Sequence, residues 1–231
     1  MRTKPPAPTR SDEVKQPSGG APVVLRGPLE ITDPSQLAKL EKVTHFVGDL
    51  TLHLRGFKQP VKLPNLMHVD GNLQIANDTE VELANLKTVT QGLSFAGDMT
   101  LSRVALPKLE TAGGIEIGSA SYPLPRLKSL ELPVLREVGQ LSTAGTGLKG
   151  LSFPKLQKVS SLRIHDTPSL RSLKMPSMRA VDSWFQITNN PGVPAKDLRA
   201  LRRQLLAAGV DPKLLQIDRS QDGAVSTATS R

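Results

Sequence analysis

The most constraining feature of this sequence is an internal repeat. A triplet of apolar residues spaced three positions apart, ending in Val or Ala, occurs seven times. The triplets are Leu37/Leu40/Val43, Leu63/Leu66/Val69, Leu83/Leu86/Val89, Leu106/Leu109/Ala112, Leu132/Leu135/Val138, Phe153/Leu156/Val159 and Met175/Met178/Val181. Their starting residues are separated by 26, 20, 23, 26, 21 and 22 positions. Because a unit this short cannot bury its apolar side alone, the units must stack on one another.

Each triplet is followed by a short segment whose inward positions lie two residues apart. These pairs are Leu50/Leu52, Leu73/Ile75, Leu93/Phe95, Ile115/Ile117, Leu141/Thr143, Leu162/Ile164 and Phe185/Ile187. Such alternation predicts a half-buried strand. Turn-forming residues two positions after each of the last six pairs predict corners. A second short strand then precedes the triplet of the following unit. Gly113 and Gly114 are interpreted as a further tight corner. The sequence therefore predicts a mainly β fold, a right-handed leucine-rich solenoid of about seven 20–26-residue coils with parallel β-sheets.

The two ends of the chain differ from the repeat in composition. Residues 1–29 are rich in Pro and predict a disordered arm, and the polar residues 218–231 predict a disordered tail. Between them, residues 30–217 form a single solenoid domain with coils over 37–192. Asp33 followed by Pro34 predicts a short N-terminal cap helix within 31–43. Leu198, Leu201 and Leu205 predict a C-terminal capping helix over 195–208, with residues 214–217 beneath it.

Four segments carry a family resemblance: ITDPSQLAKLEKVTHFVGDLTL, LPNLMHVDGNLQI, LPKLETAGGIEI and FPKLQKVSSLRI. They resemble the receptor L-domain group of leucine-rich solenoids over roughly residues 30–215. That group includes ligand-binding domains of insulin- and epidermal-growth-factor-type receptors, fungal cell-wall proteins and bacterial leucine-rich surface proteins. The resemblance implies a non-catalytic binding module and supplies no catalytic residue.

The residue types present, and their spacing, argue against most kinds of metal site and catalytic site. The chain has no Cys, which excludes disulfides, thiolate metal sites and a cysteine nucleophile. His53 and His165 occupy equivalent positions five coils apart, about 24 Å, which is too far for shared metal ligation; all four histidines are interpreted as solvated corner residues. The outward strand residues are Thr51, Gln74, Ser94, Glu116, Ser142, Arg163 and Gln186. Glu116 and Arg163 lie two coils apart, so a polysaccharide-lyase site is the weaker alternative. We predict no enzyme activity, no cofactor and no metal.

The excess of basic over acidic residues is distributed unevenly along the chain. The formal net charge is +9, and the seven triplet segments, here called legs, hold eight basic and three acidic residues. The rest of residues 31–190 holds ten basic and eleven acidic residues. The basic legs are expected to form one lateral face of the solenoid. That face either aids solubility or binds an acidic protein, and an anionic polymer or membrane surface is the alternative partner. The candidate partner-binding residues are Lys87, Lys108, Arg136, Lys155, Lys158, Arg179 and Trp184.

Three further expectations concern Trp184, the outward strand residues and the compartment. Trp184 either anchors an interface or packs under the capping helix against Leu198, and the second interpretation is favoured. The outward strand residues are small and neutral, which predicts a flat strip.

The visible chain, without an apolar leader, predicts a cytoplasmic location, whereas the resemblance implies a cell-surface or secreted protein. The chain is predicted to be a monomer.

Overall fold

In the part of the chain that the structure describes, the repeat folds into eighteen short strands that stack coil upon coil. The structure, a computed structural model, describes residues 21–54, 56–77, 80–96 and 100–217. The first nine strands are β1 Val24–Arg26, β2 Leu29–Ile31, β3 His45–Val47, β4 Leu50–Leu54, β5 Val61–Lys62, β6 His68–Asp70, β7 Leu73–Asn77, β8 Glu80–Glu82 and β9 Thr88–Ala96. The others are β10 Arg103–Ala105, β11 Thr111–Ile117, β12 Ser129–Glu131, β13 Glu137–Ala144, β14 Gly150–Ser152, β15 Lys158–His165, β16 Ser172–Lys174, β17 Ala180–Thr188 and β18 Leu215–Ile217.

These strands form three parallel sheets. The long sheet has twelve strands: β1–β4, β6, β7, β9, β11, β13, β15, β17 and β18. The second sheet has the order β12-β10-β8-β5, and β14 pairs with β16 in the third. Every pairing among the described strands is parallel. The prediction of a mainly β, parallel solenoid of about seven turns is confirmed.

The core is a set of apolar columns that run along the solenoid axis. One column, in strand register, contains Leu50, Leu73, Leu93, Ile115, Leu141, Leu162 and Phe185, and each of these side chains is at most 2% exposed. The leg residues supply further columns, such as Leu66, Leu86 and Leu109, which are fully buried. Because each coil covers the apolar side of the next, burial of apolar surface stabilises the stack as a whole.

The first triplet is displaced from its predicted position. Phe46 pairs with Val69 in the long sheet, and the Val43 N–H donates to the Leu40 carbonyl as the Leu66 N–H does to Leu63. The first structural triplet is therefore Leu40/Val43/Phe46, and the prediction that it begins at Leu37 is wrong. The reason is that residues Pro34–Leu40 form a 3₁₀ helix, capped by the Asp33 carboxylate, which accepts the Ser35 N–H at 2.7 Å.

Both ends of the solenoid are covered, in part by strands that the sequence did not predict. At the start, β1 and β2 pair with β3 and β4, so the arm boundary at residue 30 is wrong by several residues; residues 1–20 lie outside the described part. At the other end, the α-helix α1 spans Ala195–Ala207. A 3₁₀ turn at Pro212–Leu214 then leads into β18, which adds to the long sheet. β18 also contacts α1, as the sequence predicted, and the Arg202 guanidinium donates to the Leu215 carbonyl at 3.2 Å. The predicted tail, 218–231, lies outside the described residues.

Glycines mark a line across the long sheet where neighbouring coils come close. A Cβ at Gly71 or Gly139 would collide with the backbone oxygen of the preceding coil. Gly113 belongs to this line as well. Gly113 and Gly114 both lie inside β11, so their interpretation as a corner is wrong. The predicted corners at Gly145, Asp166 and Asn189 are confirmed by their left-handed backbone, with φ between 50° and 61°.

Candidate functional site

The outward side chains of the long sheet form one continuous line, here called the strip. In strand register it contains Glu30, Thr51, Gln74, Ser94, Glu116, Ser142, Arg163, Gln186 and Gln216. The sequence predicted the seven middle residues correctly. Glu30 and Gln216 were missed because they lie on β2 and β18, which the sequence did not predict. Adjacent strip residues are about 4.8 Å apart, the spacing of neighbouring strands.

The strip is not flat, which corrects the sequence prediction. A shallow groove of about 430 Å³ runs along it from Thr51 to Ser142. Its floor is low because Gly92 and Gly114 present no side chain beside the strip. Its polar lining is Asp49, Thr51, Asn72, Gln74, Ser94, Glu116, Gln140 and Ser142. The described lining thus carries two carboxylates and neither Lys nor Arg.

One end of the groove is a preformed hydrogen-bond network. The Asp49 carboxylate accepts both the backbone N–H and the side-chain amide of Asn72, at 2.9 and 3.0 Å. Asn72 also donates to the Gln91 side chain at 3.1 Å and accepts the Gly92 N–H at 2.9 Å. The backbone N–H of Asn72, followed by its side-chain amide, holds the pKa of Asp49 below its usual value. This wall is therefore fixed and ionised near neutral pH.

The centre of the groove is chemically uncommitted. The side chains of Gln74, Ser94, Glu116, Gln140 and Ser142 make no hydrogen bond or ion pair with any described residue. Glutamine offers one acceptor and two donors, a hydroxyl offers both roles, and a carboxylate only accepts. Gln74, Ser94, Glu116 and Ser142 lie in strand register, with Gln140 beside them, and all five are available to a ligand.

The far end of the strip carries an aromatic side chain and a cation. Trp184 is 38% exposed, and the Arg163 guanidinium lies over its ring at 4.8 Å. The Arg163 Nε donates to Gln186, whose amide donates in turn to Gln216. The favoured interpretation of Trp184, burial under the capping helix, is therefore wrong. Arg163 leans toward the last coil, away from Ser142 and the groove.

The basic legs are less uniform than the sequence suggested. Backbone hydrogen bonds stack Lys87, Glu110, Arg136, Gln157 and Arg179 in one column. An acid and an amide thus separate the three cations of this column.

Three cations of the legs are already engaged by the coil before or after them. Lys108 donates to Asn85 at 2.6 Å, and Arg179 donates to Gln157 at 2.7 Å. Lys158 belongs to β15 and forms an ion pair with Asp182 at 3.2 Å. Lys155 is exposed in its leg. Whether these residues and Trp184 bind a partner stays a prediction.

Two histidine rings contact each other edge to face at the start of the long sheet. The rings of His45 and His68 are 5.8 Å apart, His45 contacts Asp70 at 2.8 Å and His68 contacts Thr88 at 2.9 Å. Both lie in strands, so their interpretation as corner residues is wrong. Within the described ranges, no group of three or more His, Asp or Glu side chains is placed to hold a metal ion.

Fold and surface together define a parallel β-solenoid with an open polar groove on one face. The chain is similar to the protein ecm33 of Aspergillus fumigatus, with 27% identity over 142 residues. The match covers 60% of this chain and 34% of the fungal protein's length. No protein-family profile and no solved structure matches the chain significantly. Among the described helices, none is both long and apolar enough to cross a membrane.

Proposed function

We propose that this chain is a non-catalytic binding module whose ligand lies along the groove on the outer face of the long sheet. The observation that carries the proposal is a set of five polar side chains, from Gln74 to Ser142, that face solvent in the groove and have no partner among the described residues. Uncommitted groups in an ordered array can bind a ligand without first breaking contacts of their own, which reduces the cost of association.

The spacing of the acidic groups supports binding over catalysis. Asp49 and Glu116 are three coils apart, about 14 Å at the spacing of neighbouring strands. Pairs of carboxyl groups that hydrolyse glycosides lie within about 10 Å of each other. Asp49 is also held by Asn72. Glu116 and Arg163 are separated by Ser142 and Arg163 leans away, so neither combination makes an acid–base pair.

The partner class and the compartment belong to the same proposal. The protein partner predicted from the sequence stays a prediction, as do the monomeric state and the cytoplasmic location. We favour a cell-surface location, because the receptor L-domain resemblance includes fungal cell-wall proteins and the curated relative is fungal.

The test compares two multiple variants of the full chain, each first shown to keep its thermal midpoint. Ser94→Arg/Ser142→Arg fills the groove, and Lys108→Glu/Arg136→Glu/Lys155→Glu reverses the leg charge. The probes are the polysaccharide fraction and the soluble protein fraction of the producing organism, each applied to immobilised chain. We expect only the groove variant to lose what the wild-type chain binds. Loss in the leg variant alone would contradict the proposal, as would turnover of a polysaccharide that disappears in Glu116→Ala.

A further inference from the structure

We propose that the ligand of the groove is a neutral, unbranched oligosaccharide that lies along the solenoid axis. This inference rests on the proposed function and adds the chemical class of the ligand.

The charge of the groove excludes an anionic ligand. Its described lining contains Asp49 and Glu116 but neither Lys nor Arg. The nearest cation of the strip, Arg163, lies over Trp184 and bonds Gln186, on the side away from the groove. A uronate or phosphate chain would therefore face two uncompensated carboxylates. A strongly cationic chain is also disfavoured, because the protein carries a formal net charge of +9.

The hydrogen-bonding groups suit hydroxyls. Sugar hydroxyls donate and accept, and the amides of Gln74 and Gln140 can each bond two neighbouring hydroxyls. Ser94 and Glu116 lie on the two strands between them, and Ser142 lies on the strand of Gln140. The five coils under the groove span about 19 Å, the length of a short oligosaccharide. The coil spacing is also close to the length of one pyranose unit in an extended chain. A regular ligand could therefore meet equivalent groups on successive coils.

Tyr122 adds an apolar surface beside the groove. It is 61% exposed and borders a second depression, which shares Gln74, Ser94 and Glu116 with the groove. Two hydrogen bonds with Ser119 fix its backbone: the Tyr122 N–H donates to the Ser119 hydroxyl at 3.1 Å, and the Ser119 N–H donates to the Tyr122 carbonyl at 3.0 Å. An aromatic ring presented in this way can stack against the C–H face of a pyranose.

A protein segment fits the groove less well. The backbone groups under the strip are already paired in the parallel sheet, so an added peptide could bond only side chains there rather than extend the sheet. The described lining contains no aromatic residue, and its apolar members Leu93 and Ile115 point into the core. Protein interfaces are anchored by aromatic or Arg side chains in buried pockets, which this groove does not provide.

The experiment is calorimetric titration of the full chain with cellohexaose, laminarihexaose, maltohexaose and chitohexaose, and with hexagalacturonic acid as an anion of the same length. We expect saturable binding of at least one neutral hexasaccharide and none of the acid. Because few counterions are released, the affinity should change less than about twofold between 50 and 200 mM salt. Gln74→Ala, Gln140→Ala and Tyr122→Ala should each weaken binding by about tenfold. Gln157→Ala, the same change in a leg, should leave it unaltered.

The other outcomes separate the two proposals. If no neutral hexasaccharide binds, or if the acid binds equally well, the oligosaccharide proposal is overturned. If in that case the groove variant Ser94→Arg/Ser142→Arg still loses binding to the protein fraction, the proposed function stands with a protein as ligand. If a hexasaccharide binds but Gln140→Ala and Gln157→Ala have the same affinity, the groove is not its site.

Discussion

The groove and the legs are both polar surfaces built from residues that recur once per coil, yet they differ in how their side chains are used. In the legs, Lys108 and Arg179 donate to residues of the preceding coil. In the groove, Gln74 and Gln140 have no partner among the described residues, although Asn72 beside them is fully engaged. One surface is therefore occupied with holding coils together, and the other is left open.

The difference shows why a recurring charge is weak evidence for a binding site. The basic excess of the legs stands out in the sequence, but stacking interleaves Glu110 and Gln157 with the cations. Exposed hydrogen bonds and ion pairs of this kind contribute little stability individually. A polar group that stays unpaired at a shape-defined surface is the better indicator, and it becomes visible only when the partners of each side chain are known.

The largest expected effect concerns the glycine line across the long sheet, where neighbouring coils come close. Gly139→Val should destabilise the fold by about 3 kcal/mol, because its Cβ would meet the Gly113 backbone oxygen. Gly150→Val, in a strand of the third sheet, is the matched control, since a Cβ there meets nothing closer than 3.9 Å. Urea unfolding of both variants measures the difference. Equal midpoints would mean that the coils do not approach closely along this line.

The second prediction removes side chains from the two surfaces. Arg179→Ala should cost up to about 1 kcal/mol, because it loses its hydrogen bond to Gln157. Gln140→Ala should change stability by less than about 0.5 kcal/mol, as expected for a side chain that has no partner in the part of the chain the structure describes. Chemical denaturation of the single variants measures both. A larger loss of unfolding free energy in Gln140→Ala than in Arg179→Ala would mean that the groove side chain, rather than the leg side chain, stabilises the stack of coils.

The third prediction concerns the end of the strip where a side chain is engaged. A double-mutant cycle of Arg163→Ala and Trp184→Ala should give a coupling of about 0.5 kcal/mol, the value for an exposed cation–π contact. The same cycle with Ser142→Ala in place of Trp184→Ala should give none, because Arg163 leans away from the groove. Coupling to Ser142 instead would place the cation inside the groove and undermine the charge argument for a neutral ligand.

The smallest expected effect is a dependence on pH at the start of the long sheet. Burial, followed by the nearby charges of His45 and Lys87, lowers the pKa of His68 below its usual 6.5, with Asp70 acting in the opposite direction. Because the folded state binds this proton less readily than the unfolded state, stability is complete above about pH 6.5 and falls as the pH drops below it. The thermal midpoint should therefore be lower at pH 5.5 than at pH 7.5.

His68→Gln tests the assignment of that pH effect. The variant should show a smaller difference in thermal midpoint between the two pH values, and the matched variant His53→Gln should keep the difference of the wild-type chain. If both variants behave like the wild-type chain, the pH dependence arises elsewhere and His68 is not its source.

Much of this architecture could be predicted from the sequence. The spacing of Leu63, Leu66 and Val69, repeated with small variations, requires a stacked solenoid because each unit exposes an apolar side that only another unit can cover. Alternation in the following strand fixes which residues face inward, so the line from Thr51 to Gln186 was predicted correctly. These features are periodic and local, so they can be recognised in the sequence without knowing which residues of neighbouring coils pack against them.

The tertiary structure decided the remaining features, because they depend on residues about twenty positions apart coming into register across coils of unequal length. Phe46 belongs to the first triplet because it pairs with Val69. The edge strands at Leu29 and Leu215 exist only because a neighbouring strand is there to pair with them. The groove is open because Gly92 and Gly114 fall side by side in adjacent strands. Whether a side chain such as Lys158 or Gln140 is engaged depends on what the adjacent coil presents to it, and the sequence of a single repeat does not contain that information.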